Sequence, residues 1–295
     1  MEVIRPDVIM SAEKPLIVVA PHSSTYVSPE LEERLAIDDE EQKRFTDMYL
    51  DELFAETPNV GGVLVPAPIS RFVVQLNKKT EVRDGRLYVW DNGLKSLDES
   101  DPKNPDSSFV RYSWTGNKVM DPELTEKEMI DIYEKVYKPF FETIEKVVRE
   151  AHAKFGYSVM LVAHSFNPVS SRGKKRNTHF VLGTRDWRTA NTDLIKILAH
   201  RLNAESRKSR DLKIGIDTYG FDGDYITGHY SKVGDAEELR AKDIEPRKCN
   251  AVQIEVNKGL YISKGTDQKH SLFKRAKLNI SHLLETAARY MPNYL

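Results

Sequence analysis

Two stretches of this chain read almost alike, and together they restrict the folds open to it. Residues 16–23 are LIVVAPHS and residues 158–165 are SVMLVAHS. A short, unbroken apolar run has no polar face, which suits a strand covered on both sides, as in the parallel sheets of α/β proteins. Each run ends in a His-Ser pair, His22-Ser23 and His164-Ser165. In open α/β sheets the reactive groups gather where strands end. The repeat therefore predicts one site at the carboxyl ends of two buried strands.

The remaining pattern alternates strands with helices. Apolar runs at 15–20, 63–65, 158–163, 179–184, 212–216 and 251–256 read as strands. Helices are expected at 29–35, where Pro29 suits a first helical position, and at 39–55, 124–155, 190–205 and 268–290. Pro139 should kink or split the third of these. Ser70 to Asn77 reads as extended, and Asp84-Gly85 as a hairpin turn. Residues 91–123, rich in Asp, Ser, Pro, Asn and Lys, read as a surface insertion, either a lid or a solvated excursion. The expected fold is α/β, with a mixed, largely parallel central sheet flanked by helices, in one domain over residues 1–295 with no internal repeat.

Composition excludes several partners. The net charge is -1, so no global field draws the chain to nucleic acid or an anionic membrane. The basic run at 172–176 (RGKKR) is small enough to be a solvated loop, or one that attracts an acidic substrate. No apolar run nears the roughly 20 residues that span a bilayer, and residues 1–7 lack the layout of a secretory signal. The chain reads as soluble and cytoplasmic. Its one cysteine, Cys249, allows neither an internal disulfide nor a Cys-rich zinc site. Any metal must be held by His, Asp and Glu.

His22 and His164 are the first candidates, because a sheet offers both from rigid backbone, which fixed ligand geometry needs. Zinc accepts imidazole and carboxylate, and a catalytic zinc keeps three protein ligands and a water. The third ligand should be a carboxylate, Asp47 or, in reserve, Asp51, one turn apart on the expected 39–55 helix. Glu255 lies in an apolar strand and shares a face with Gln253. A carboxylate there costs several kcal/mol unless paired or neutral, which makes it part of a polar network or a general base. Arg71 and Asn77 are candidates to hold an acidic substrate, since Arg bonds carboxylates in bidentate fashion. Tyr225 and His229 fall in a polar, glycine-punctuated loop, 223–230 (GDYITGHY), suited to a site wall.

With these residues placed, the chain resembles the N-formylglutamate amidohydrolase family. Similar motifs run in order along most of the chain: Pro21-His22-Ser23, then Thr46-Asp47 through Phe54, then Ser70-Arg71 through Asn77-Lys78. His164-Ser165, Leu182-Gly183-Thr184-Arg185-Asp186, residues 223–227 (GDYIT) and Val252-Gln253-Ile254-Glu255 follow. The resemblance implies a zinc-exopeptidase-like (phosphorylase/hydrolase-like) fold. It implies hydrolysis of N-formyl-L-glutamate to glutamate and formate, late in histidine breakdown. By position it makes His22, Asp47 and His164 metal ligands, Glu255 the base, and Arg71 with Asn77 the substrate clamp. Arg185, Tyr225 and Gln253 fall in its substrate-binding motifs. The chain departs from the family where Val162 and Gln75 replace aspartates and Lys78 replaces an arginine. These changes motivate an alternative, a family member that binds an acyl amino acid or acidic peptide without turnover.

Overall fold

The structure, a computed structural model, describes residues 1–170, 173–209 and 212–292, apart from the side chains of 205–209. Arg172 of the basic run lies outside the described residues. The strands are, in order, β1 (Ile9–Met10), β2 (Leu16–Ala20), β3 (Val63–Pro66), β4 (Thr80–Arg83), β5 (Arg86–Trp90), β6 (Leu94–Ser96), β7 (Ser158–Phe166), β8 (Phe180–Gly183), β9 (Ile214–Ile216) and β10 (Cys249–Asn257). The helices are α1 (Pro29–Glu32), α2 (Asp39–Phe45), α3 (Leu50–Leu53), α4 (Glu126–Ile132), α5 (Lys138–Phe155), α6 (Thr192–Ser209), α7 (Tyr225–His229), α8 (Ala236–Arg240) and α9 (Phe273–Ala288). No described helix is long and apolar enough to cross a membrane. Contacts divide the chain into two compact units. One comprises Met1–Asp7, Pro21–Met48 and Pro66–Ile144; the other comprises Val8–Ala20, Tyr49–Val65 and Glu145–Leu295.

The second unit holds the central sheet, ordered β1-β3-β2-β7-β10-β8-β9. β2, β7 and β10 are parallel neighbours, β8 runs antiparallel to β10, and β9 is parallel to β8. This is the mixed, largely parallel sheet that the apolar runs predict. Side chains alternate across it. Leu16, Val18 and Ala20 share a core with Val159, Leu161 and Ala163, with Val252, Ile254 and Val256, and with residues of α3, α6 and α9. The opposite face carries Met160, Val162 and His164 of β7 beside Ala251, Gln253 and Glu255 of β10. Here α7 lies against both strands. β7 is three residues longer than its apolar run predicts, because β10 pairs with it along the whole length, to Asn257 opposite Phe166. His164 therefore sits inside a strand.

The amino ends of β7 and β10 carry a different cluster. Cys249 is in register with Ser158. The His152 Nε2 of α5 lies 3.2 Å from Ser158 Oγ and 3.6 Å from Cys249 Sγ. Burial pushes the thiol up to about 12 and the imidazole down to about 4, the latter helped by the charge of Lys248. Both groups are thus neutral near pH 7, an inert pair at the end of the sheet away from His164. Between about pH 6.5 and 4 the unfolded chain binds a proton at this histidine and the folded chain does not. Stability therefore falls as pH falls through that window, by on the order of 3 kcal/mol at its lower end. Urea midpoints at pH 7 and pH 4.5 should show this slope, and His152→Gln should flatten it.

The first unit contains the antiparallel sheet β4-β5-β6. The expected hairpin turn joins β4 to β5, with Asp84 and Gly85 both left-handed (φ 50° and 74°). The expected 124–155 helix is divided: α4 opens with a Thr125–Glu128 capping box, and a π-helical turn at Tyr133–Tyr137 precedes α5. Residues 91–123 bury Phe109, Val110, Val119 and Met120. Buried Asp91 accepts from the Asp101 amide, Asn104 and Lys95, which ties down the start of this segment.

Three expectations of secondary structure fail. The 39–55 helix is interrupted: α2 ends at Phe45, Thr46 turns extended, and Tyr49 is left-handed (φ 64°) before α3 begins. Thr46 Oγ1 bonds the Gln42 carbonyl and the Asp47 amide bonds the carbonyl of His22, so the backbone finds partners outside a helix. Residues 70–77 are a series of turns, not a strand, because the amides of Val73 and Val74 return to the Ser70 carbonyl. The loop at 223–230 contains α7, whose amino end is capped by the Asp224 side chain.

Candidate active site

Each unit holds part of the predicted residue set. In the first, His22 and Asp47 are buried, 4% and 3% exposed. The break after α2 brings them together, with His22 Nδ1 and Asp47 Oδ2 3.7 Å apart. That is beyond a hydrogen bond, but two ligands of one tetrahedral zinc lie only about 3.3 Å apart. Asp51, the reserve candidate, is exposed on α3. Asn77 is fully buried, and Arg71 is half-buried. Arg71 donates to the Phe45 carbonyl (3.2 Å) and to Gln75 Oε1 (2.6 Å), and its guanidinium lies 4.5 Å from the Trp114 ring centre.

In the second unit, His164 and Glu255 are buried register partners on adjacent parallel strands. Gln253, next on the same face of β10, donates from Nε2 to Glu255 Oε1 at 2.9 Å. The Asp224 amide donates to Gln253 Oε1 at 2.8 Å. A backbone N–H can only donate, so it fixes which end of the Gln253 amide faces Glu255. The carboxylate in an apolar strand is thus part of the polar network that its desolvation cost demands. Val162 is buried beside Gln253 in register.

The Asp224 loop is held by hydrogen bonds from a strained turn whose cost other groups offset. Arg185, Asp186 and Trp187 are all left-handed (φ 47°, 57° and 64°), at roughly 1–2 kcal/mol each for non-glycine residues. Asp217 offsets this by accepting from the Thr184 amide (2.6 Å), the Thr184 hydroxyl (2.6 Å) and the Asp186 amide (3.0 Å). The turn aims Arg185 back at the loop, where it donates to the carbonyls of Gly223 (3.1 Å) and Asp224 (3.2 Å). Gly183 makes the close approach possible: a Cβ there would meet the Gly223 nitrogen at 2.8 Å. Tyr225 and His229, on α7, have ring centres 5.2 Å apart. Asp217 and Trp114 were not legible as site residues, since neither lies in a motif. Trp114 carried one faint signal, a tryptophan between small polar residues, Ser113 and Thr115.

The profile of the N-formylglutamate amidohydrolase family matches residues 14–262. The N-formylglutamate deformylase of Pseudomonas aeruginosa is 26% identical over 237 residues, covering 80% of this chain and 81% of the relative. That of Pseudomonas putida is 26% identical over 254 residues, covering 84% and 82%. The crystal structure of N-formylglutamate amidohydrolase from Ralstonia eutropha superposes with a TM-score of 0.75 at 20% identity, covering 97% of this chain and 98% of that one, and so shares the fold. Fold, polar sheet face and relatives define an α/β amidohydrolase, a hydrolase of carbon–nitrogen amide bonds. The match spans all nine predicted site residues, His22 through Glu255. The chain belongs to the N-formylglutamate amidohydrolase family.

Proposed function

We propose that this chain hydrolyses the formyl amide of N-formyl-L-glutamate, giving L-glutamate and formate, with a divalent metal, best zinc, held by His22, Asp47 and His164. Family membership across residues 14–262 carries the reading. The donor set fits the metal: two imidazoles and a carboxylate, all buried, are ligands that zinc takes. Chain connectivity supports joining them. Val19 is in register with Val162, and His22 follows only three residues later, while His164 lies two beyond Val162. The burial of Asp47 and the exposure of Asp51 favour Asp47 as the carboxylate.

Bound there, the ion would supply Lewis acidity toward the formyl oxygen and the attacking water. The chain's own groups do the rest. Arg71 and Asn77 hold a substrate carboxylate. Glu255, oriented by Gln253, takes a proton from the attacking water as the new C–O bond forms. It returns the proton to the nitrogen as the C–N bond breaks, so the amine leaves neutral. Arg185 shapes the 223–224 backbone that holds Gln253, and Tyr225, at the start of α7, lines the wall of the site.

The test is formate release from N-formyl-L-glutamate by the purified protein, beside elemental analysis. One formate per glutamate and about one zinc per chain are expected. Binding without formate release, with metal supplied, would instead support the non-catalytic alternative.

A further inference from the structure

The two halves of residues 91–123 converge on Arg71, and the chemistry of that convergence is specific. Gln75 Nε2 donates to the carbonyls of Pro105 and Ser107, both at 3.2 Å, and the Gln75 amide donates to the Ser108 carbonyl at 2.7 Å. Carbonyls only accept, so they demand the NH2 end of the Gln75 side chain. Its oxygen is thereby turned to Arg71 Nη2, 2.6 Å away. An aspartate or glutamate could not donate to either carbonyl. The 105–107 turn and a neutral amide at position 75 therefore belong together. Gln75 gives the guanidinium a hydrogen bond without a counter-charge.

The second half supplies a face. Trp114 lies 4.5 Å from the Arg71 guanidinium and stacks on Phe45 with ring centres 4.9 Å apart. Its flanks are pinned from α2. The Glu41 carboxylate accepts from Ser113, Thr115 and Asn117, residues on either side of Trp114. Burial pushes the Glu41 carboxyl up, but these three donors together bring it below the usual carboxylate range, so it stays ionised and keeps its grip. A planar cation between an aromatic face and an amide oxygen loses little entropy on binding a carboxylate, because its fork is already aimed.

We propose that Gln75 and Trp114 are positioning residues that present Arg71 as the receptor for a substrate carboxylate, and that residues 91–123 are the element that sets this preference. This deepens the proposed function and rests on Arg71 touching the substrate. Gln75→Glu puts a competing carboxylate against Arg71 and opposes two carbonyls. Trp114→Leu removes the aromatic face and Trp114→Phe keeps most of it.

The experiment measures kcat, KM and equilibrium binding of N-formyl-L-glutamate for the wild type and the three variants, with thermal unfolding to establish that each folds. We expect KM and Kd to rise at least tenfold for Gln75→Glu and several-fold for Trp114→Leu. Trp114→Phe should be closer to wild type, and kcat should change less than threefold throughout. Should Gln75→Glu fail to fold, the two Trp114 variants still decide. Unchanged KM and Kd in Trp114→Leu, or a loss confined to kcat, overturns the inference while an active wild type leaves the function standing. A wild type that binds the compound without releasing formate overturns the function, and the Kd series still tests the inference. A wild type that neither binds nor turns over the compound overturns both.

Discussion

His164→Ala is expected to remove the bound metal and abolish amide hydrolysis while leaving the fold in place. The side chain is buried on the polar face of β7, in register with Glu255. The strand's ladders to β2 and β10 are made by backbone, and alanine keeps them. Loss of one of three ligands leaves two, too few for a catalytic zinc site. Lewis-acid assistance is worth several kcal/mol, and each ~1.4 kcal/mol is tenfold in rate, so a fall of about three orders of magnitude or more follows. Elemental analysis, formate release and thermal unfolding on one preparation check it. Full activity with metal retained would remove His164 from the site.

The second large effect separates metal from proton transfer. Glu255→Gln should lower kcat by about 10²- to 10⁴-fold, the usual contribution of a general base, with metal content unchanged. The substitution is nearly isosteric. Gln253 still has an acceptor to donate to, because the Asp224 amide holds its orientation. Retained metal with lost turnover would place the defect at the carboxylate. Retained turnover would make Glu255 a structural member of the Gln253 network and put the base elsewhere. Because His164→Ala and Glu255→Gln act on different functions, metal content distinguishes them even where the activities are equally low.

The departures from the family pattern have unequal consequences. Val162 is enclosed in the sheet, where an apolar side chain needs no partner. Gln75 fits its surroundings: the Pro105 and Ser107 carbonyls use the amide that an aspartate lacks. The amide suits the 105–107 turn and leaves Arg71 hydrogen-bonded to it.

What the sequence by itself determined about this protein was set by local and periodic physics. Apolar runs with no polar face had to become buried strands, and 16–20, 158–163 and 251–256 did. Asp84-Gly85 had to turn, since both positions need positive φ. His22, His164 and Glu255 were visible because a titratable group at or within such a run has to be explained. Only the tertiary structure decided the rest. Whether 39–55 continued as one helix depended on whether the backbone near Asp47 had another partner, and the His22 carbonyl, 25 residues away in sequence, supplied it. That non-local bond put Asp47 beside His22, where helical periodicity had grouped it with the exposed Asp51. The left-handed run at 185–187 was illegible because only Asp186 of its three residues tolerates that region readily; bonds from Thr184 and Asp186 to Asp217 hold it. Trp114 acquired meaning only when Glu41 pinned both its flanks. Periodicity reports which face of an element is apolar; it carries no information about which distant donor will meet which acceptor, and the candidate site is built from those meetings.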